Sequence, residues 1–200
     1  VVFLYATDKE GQYSFIEAAK NKGYDVLLMD CQLDSHFVNL LETKVENARF
    51  ARVDSDSIDN LIPKEDKEKP VLTEAEQEDL SVIFQSVLPK ENQYFVQADN
   101  LGASAAPILI TQNEFMRRYR EMSSVGGGMN FYGELPPMYN ITVNMENPLV
   151  GRILDAAAGH KDDLTAFAGD NEILRQITDL ALLANGMLKG KDLSDFIARS

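Results

Sequence analysis

The stretch VVFLYATDKEGQYSFIEAAKNKGYDVLLM, residues 1–29, decides the fold of the first part of the chain. Two apolar runs, Val1–Ala6 and Val26–Met29, have the composition of buried strands. Between them lies a segment with apolar residues at helical spacing, and Gly23 follows it, as is typical just after a helix. The stretch therefore predicts a strand, a helix and a second strand joined by short connections.

The same alternation continues to residue 53. Thr7 and Glu10 match a capping box that opens the first helix, and Asp34 has the position of an N-cap before a second helix. Arg49–Val53 has the composition of a third strand. This order predicts a small parallel sheet with right-handed crossovers. We predict an αβα subdomain over residues 1–62, which is thin for an independent domain and should pack on something that precedes it.

Charged residues and two prolines fill residues 54–72 and predict a linker. Three apolar residues, Ile58, Leu61 and Ile62, can anchor its first half. We therefore place the charged linker at residues 63–72.

The rest of the chain, residues 73–200, has the pattern of an α+β domain. Three runs predict strands: Tyr94–Ala98, Pro107–Thr111 and Met138–Met145. Five positions predict helix starts: Thr73 with Glu76, Thr111 with Glu114, Asn147 before Pro148, Asp170, and Asp192. The predicted fold class is a three-stranded parallel αβα subdomain followed by an α+β domain with a C-terminal helical bundle.

Composition excludes several classes of function. The net charge of −13 argues against nucleic acid as the main partner. Cys31 is the only cysteine, so no intrachain disulfide or thiolate metal cluster forms, and because it follows an apolar run we expect a buried thiol. No apolar run is long enough to span a membrane, and no signal peptide is visible, which favours the cytoplasm. The chain opens without Met inside a strand-like run, as expected for a piece of a longer protein.

The sequence offers no credible catalytic or metal site. His36 and His160 have no spaced set of ligands around them, and no serine lies in a nucleophile elbow. The glycines near residues 186–191 have the wrong spacing for a phosphate loop and follow a helix. We therefore predict no catalytic residue, metal or cofactor for this chain.

The penultimate helix predicts a helix–helix contact. Apolar residues at alternating intervals of four and three form its seam: Ile173, Ile177, Leu180, Ala184 and Met187. One side must pack on the chain's own strands. The remaining apolar width favours a symmetric partner, with two helices from each copy forming a four-helix bundle.

A second candidate surface lies near residues 113–138. Phe115, Tyr119 and Met122 fall on one helical stripe with Met116 beside it, and a run of three glycines follows. Methionine and aromatic side chains suit a surface that adapts to irregular partners. Packing of the stripe on the domain's own sheet is the alternative, and spacing alone leaves both open.

Several segments resemble the heat shock protein 90 family of chaperones in its bacterial HtpG form. The run Asn21–Leu28 with Leu33-Asp34 resembles the end of the family's middle domain. Gly102–Ala106, the helix at residues 114–122 and the strand at residues 138–145, followed by Asn147–Val150, resemble its C-terminal dimerisation domain. The order of segments agrees, and the resemblance covers essentially the whole chain.

The resemblance implies a homodimeric, ATP-dependent chaperone of the stress response that binds non-native client proteins. Its ATP and Mg sites lie in parts that do not match this chain, so the resemblance implies no ATPase site here. It implies client contacts at Phe115, Met116, Tyr119 and Met122, and across the cleft at His36, Phe37 and Asn39. It implies a dimer interface that adds Leu193, Phe196 and Ile197 to the helical seam. The alternatives are a fragment of a nucleotide-binding α/β enzyme and a purely structural oligomerisation module.

Overall fold

The computed structural model describes residues 1–31, 33–62, 70–112, 117 and 137–200. These residues form two compact units. The first holds residues 1–62 with Thr111, Gln112 and Arg117, and the second holds residues 70–110 and 137–200. The described part is a mixed α/β chain with eight helices and two three-stranded sheets. The boundaries predicted at residues 62 and 73 remain a prediction.

The first unit contains a parallel sheet between two helices. Its elements follow one another along the chain as β1 (Val2–Ala6), α1 (Tyr13–Asn21), β2 (Val26–Leu28), α2 (Asp34–Lys44), β3 (Arg49–Arg52) and α3 (Ile58–Leu61). The strand order is β2-β1-β3, with Tyr5 of the central strand opposite Leu27 on one side and Arg52 on the other. The predicted three-stranded parallel sheet is confirmed.

Each face of this sheet has its own apolar cluster. Leu4 and Ala6 of β1 pack with Ile16 of α1 on one face. Tyr5 packs with Val38 of α2 and Phe50 of β3 on the other. The alternation of side chains along a strand accounts for this division, because successive residues point to opposite faces.

The starts of both helices in this unit differ from the prediction. α1 begins at Tyr13, and the predicted Thr7–Glu10 capping box is wrong. The side-chain oxygen of the buried Gln12 accepts hydrogen bonds from the backbone N–H groups of Thr7 (2.8 Å) and Asp8 (3.0 Å). Asp34 is the first residue of α2 rather than its N-cap, and its carboxylate accepts from the backbone N–H of Cys31.

The stretch just before the predicted linker packs into the first unit. Ile58 and Leu61 of α3 are buried in the cluster beneath α1, and Ile62 packs against it, as their apolar character predicts. Residues 63–69, most of the proposed linker, lie outside the described residues.

In the second unit, helices precede and follow the three strands along the chain. Its elements are α4 (Glu74–Val87), β4 (Gln93–Asp99), β5 (Ile108–Gln112), β6 (Met138–Asn144), α5 (Pro148–Ala157), α6 (Leu164–Asp170), α7 (Glu172–Ala184) and α8 (Gly190–Arg199), and the last two residues of β5 are those assigned to the first unit. The strand order is β4-β6-β5, and β4 runs parallel to β6 from Gln93 opposite Met138 to Asp99 opposite Asn144. Residues of α4, β6, α5 and α7 share one buried core.

Two of the helix caps predicted for this unit are confirmed. Thr73 and Glu76 form the predicted capping box, and Asn147 caps α5 with Pro148 behind it. The other described starts are corrected. Asn171, not Asp170, caps α7, and α8 begins at Gly190 without a side-chain cap from Asp192. Glu114 lies outside the described residues, so its box with Thr111 stays a prediction.

A buried asparagine fixes the loop between β4 and β5. The Asn144 amide donates to the backbone carbonyls of Gly102 (2.9 Å), Ala106 (3.3 Å) and Ala105 (3.4 Å), and accepts from the N–H groups of Leu101 and Glu146 (both 3.2 Å). These backbone groups of the loop therefore have hydrogen-bond partners although they belong to no strand.

Candidate functional site

An exposed apolar row lies on α7 and α8. Ile173 and Leu180 are 43% and 47% exposed, and Ile197 of α8 is 65% exposed. Leu183 and Ala184 are exposed beside them. We call these five residues the α7–α8 row. Residues at intervals of seven and four return to the same side of a helix, so Ile173, Leu180 and Ala184 form one stripe.

The remaining residues of the predicted dimer interface face the chain's own core. Ile177 and Phe196 are buried in it, and Met187 and Leu193 pack partly against it. The sequence pattern could not separate these four from the exposed ones, because both sets share one broad apolar face. The interface itself stays a prediction.

Both basic residues of α8 form ion pairs, Lys191 within the helix and Arg199 with α7. The Arg199 guanidinium contacts the Asp179 carboxylate, and Lys191 contacts Asp195 one turn along. The hydrogen bond between Lys191 and Asp195 raises the pKa of Lys191, and the negative charge of Asp195 raises it further. These pairs neutralise opposite charges beside the row.

The first half of the predicted client surface lies on α2. His36 and Phe37 are exposed and Asn39 is half-buried. Leu33, which immediately precedes α2, and Leu40 are also exposed and share a stripe with Phe37, since they lie four and three residues from it. Val38, between Phe37 and Asn39, points the other way into the sheet cluster.

The second half of that surface lies outside the described residues. This applies to Phe115, Met116, Tyr119 and Met122. Arg117 is described: it is helical, and its guanidinium Nη2 donates to the Tyr5 hydroxyl at 2.9 Å. Arg117 is buried, with 6% of its surface exposed.

One group of side chains has the spacing of metal ligands. Ligand atoms of Asp30, Cys31 and Asp34 lie within 4.8 Å of one another on an exposed surface. The Asp34 carboxylate already accepts from the backbone of Cys31. Cys31 is exposed, so the expectation of a buried thiol is wrong. Acidic groups at a surface are common without an ion, and this group supports no metal centre.

The comparisons with known proteins decide the family. Chaperone protein HtpG of Bacteroides fragilis is 40% identical over an alignment 258 residues long. The alignment spans 100% of this chain and 38% of that protein. HtpG of Bacteroides thetaiotaomicron and HtpG of Porphyromonas gingivalis match with the same identity and the same shares. The chain belongs to the HtpG chaperone family. No family model matches it.

The HtpG match confirms the resemblance stated from the sequence segments. The chain spans about two fifths of the length of the curated HtpG relatives that it matches (38%). Within the described residues, no helix is both long and apolar enough to cross a bilayer.

Proposed function

We propose that this chain is the dimerisation and client-binding part of an HtpG-type, ATP-dependent chaperone. The observation that carries the proposal is the α7–α8 row on a chain whose relatives are named chaperones. Charged and polar residues usually occupy such helix positions at a free surface, and adjoining apolar side chains favour a covering partner.

A second copy of the chain is the partner that suits the row. Two antiparallel copies of α7 and α8 would bring Leu180 and Ile197 against apolar side chains of the other copy, as in a four-helix bundle. The pairs Arg199–Asp179 and Lys191–Asp195 leave no unpaired charge in those four side chains to be desolvated.

Client binding is assigned to two groups of side chains. The exposed Leu33, Phe37 and Leu40 of the α2 region provide an apolar stripe with His36 and Asn39 beside it. Phe115, Met116, Tyr119 and Met122 provide the second group on the strength of their spacing and of the family resemblance. Non-native proteins expose apolar segments of no fixed sequence, which aromatic and methionine side chains can accommodate.

Dimerisation would serve the whole chaperone by tethering its two copies. A tether makes contact between the attached ATPase parts intramolecular. Their effective concentration then reaches the order of 1 mM for short flexible connections. We expect no ATP hydrolysis by this chain alone, and we assign ATP and Mg to the parts of the relatives that it does not match.

The enzyme alternative is disfavoured by the turn after β1. Phosphate loops offer free backbone N–H groups to the ligand. Here the N–H groups of Thr7 and Asp8 donate to Gln12, and those of Glu10 and Gly11 donate to the Asp8 carboxylate at 3.0 Å. An anion at this turn would also meet the negative charge of Asp8.

Client binding is tested by a triple substitution, Phe115→Ser, Tyr119→Ser and Met122→Ser. We expect it to weaken binding of reduced, carboxymethylated α-lactalbumin, a permanently unfolded protein, by at least about tenfold, because each lost apolar contact contributes about 1 kcal/mol. Fluorescence anisotropy gives the dissociation constant, and sedimentation velocity checks that the oligomeric state is unchanged.

Unchanged affinity of the triple variant would favour the purely structural oligomerisation module. A chain that sediments as a monomer at every concentration would refute the dimer.

A further inference from the structure

A cleft of about 380 Å³ lies within the second unit, between the end of α4 and the helices α7 and α8. Its volume falls in the range usual for sites that bind small molecules. Three leucines of the buried core form part of its lining: Leu88, Leu182 and Leu188. Within the described part of the chain, the lining shares no residue with the predicted dimer interface.

Thr178 lines the same cleft from the middle of α7 and is 2% exposed. A threonine inside a helix commonly donates its hydroxyl to a backbone carbonyl of the preceding turn. The Thr178 hydroxyl does not, and no described residue supplies its Oγ1 with a hydrogen-bond partner. Buried polar groups without a partner are rare, because the hydrogen bonds lost with water are not replaced. This hydroxyl therefore indicates a ligand that supplies the missing bond.

The charged side chains that line the cleft are mostly acidic. Arg199 pairs with Asp179, and Asp195 pairs with Lys191. Two further carboxylates, Glu91 and Asp192, take part in none of the ion pairs among the described residues. Together the lining holds four carboxylates and two guanidiniums: Glu91, Asp179, Asp192, Asp195, Arg175 and Arg199.

We propose that this cleft binds an aliphatic ammonium group, carried by a small free amine or by a lysine side chain of another polypeptide. The leucines cover the methylene groups, and the Thr178 oxygen accepts a hydrogen bond from the ammonium. Glu91 and Asp192 offset its charge. The one guanidinium without an ion pair, that of Arg175, donates from Nη2 to the Gly169 carbonyl at 2.8 Å.

Other classes of ligand fit the cleft less well. An anion would meet the four carboxylates, and a purely apolar ligand would leave the Thr178 hydroxyl without a partner. The inference is also independent of the proposed dimer and client surfaces. Leu182 lies two residues from Leu180, about 200° around α7, so the cleft and the α7–α8 row lie on opposite sides of this helix.

The first test uses n-pentylammonium as the probe and the full 200-residue chain. NMR titration follows the methyl resonances of Thr178 and Leu182 and gives the dissociation constant. 1-Pentanol has the same aliphatic stem without the charge. We expect n-pentylammonium to shift these resonances and 1-pentanol to bind about tenfold more weakly, because hydrogen bonds to charged groups are the stronger ones.

Thr178→Val keeps the shape of the side chain and removes the hydroxyl. We expect the dissociation constant for n-pentylammonium to rise about tenfold, as is usual when a hydrogen bond to a charged group is lost. The urea midpoint should equal or exceed that of the parent, because the hydroxyl has no described partner to lose. Glu91→Gln combined with Asp192→Asn should raise the dissociation constant about threefold, and less at high salt.

Two variants outside the cleft serve as controls. Thr165→Val removes the hydroxyl of an exposed threonine on α6, and Asp155→Asn removes an exposed carboxylate on α5. Both should bind n-pentylammonium as the parent does. Nα-acetyl-lysine methylamide carries the same ammonium on a peptide unit. Binding as tight as that of n-pentylammonium assigns the site to a lysine side chain, and weaker binding assigns it to a free amine.

The remaining outcomes overturn the proposal. They are the absence of n-pentylammonium binding, equal affinity for 1-pentanol, and parent-like affinity of Thr178→Val. A lower urea midpoint of Thr178→Val also overturns it, since the hydroxyl then has a partner in the folded chain. So does a loss of affinity in Thr165→Val that equals the loss in Thr178→Val.

Discussion

Leu180→Asp should dissociate the proposed dimer while leaving each chain folded. The Leu180 side chain is 47% exposed. Full burial of a leucine contributes about 1.5–3 kcal/mol, so covering its exposed part contributes about 1 kcal/mol in each protomer. A symmetric interface includes the residue twice, and losing about 2 kcal/mol raises the dissociation constant about 30-fold. Desolvating two carboxylates adds to this, so 30-fold is the lower bound.

Sedimentation equilibrium over about 0.1–100 µM measures the dissociation constants of parent and variant, a range that suits micromolar association. Val82→Asp is the matched control, because Val82 is 48% exposed on α4 of the same unit but lies outside the row. Urea unfolding should show that both variants keep the monomer's stability to within about 0.5 kcal/mol. The reasoning is refuted if Leu180→Asp dimerises as tightly as the parent, or if Val82→Asp disrupts the dimer equally.

Two further predictions concern the second unit. Asn144→Ala should lower the free energy of unfolding by about 3 kcal/mol, because it leaves buried backbone groups of the loop without their hydrogen-bond partners. Asn140→Ala on the same strand should cost under about 1 kcal/mol. Equal losses of the two variants in urea unfolding would contradict this. Thr73→Ala should raise the pKa of Glu76 towards its ordinary 4.5, because the Thr73 hydroxyl and backbone N–H hold it low. The stability from this cap is present above pH 4.5 and is lost as the pH falls through the lower folded pKa of Glu76. NMR measures the titration of Glu76, with Ser81→Ala as the control. A parent-like pKa of Glu76 in Thr73→Ala would contradict the prediction.

Local signals predicted the elements well where their partners are local. The capping box of Thr73 and Glu76 joins residues three apart, and Asn147 caps a helix whose first residue is Pro148. The alternation in residues 1–53 likewise predicted the parallel sheet. These features depend on residues that the sequence pattern places side by side.

Local signals failed where another group took the expected hydrogen bond, and where a strand ended sooner than its apolar run. Gln12 captured the N–H groups near Thr7, so α1 began at Tyr13 despite the apparent capping box. Cys31 follows an apolar run but lies past the end of β2, where it is exposed. The capping-box motif did not reveal the competing side chain, and the apolar run did not reveal where the strand ends.

The sequence by itself determined the family, the parallel sheet of the first unit and the apolar width of α7, because identity and periodicity are properties of the chain alone. The tertiary structure decided which apolar residues remain outside: Ile177 enters the core, while Leu180, three residues later, stays exposed. It also decided that Arg117 is buried against Tyr5, 112 residues away in the chain. Burial depends on what the folded chain brings against a side chain, and a one-dimensional pattern does not contain those distances.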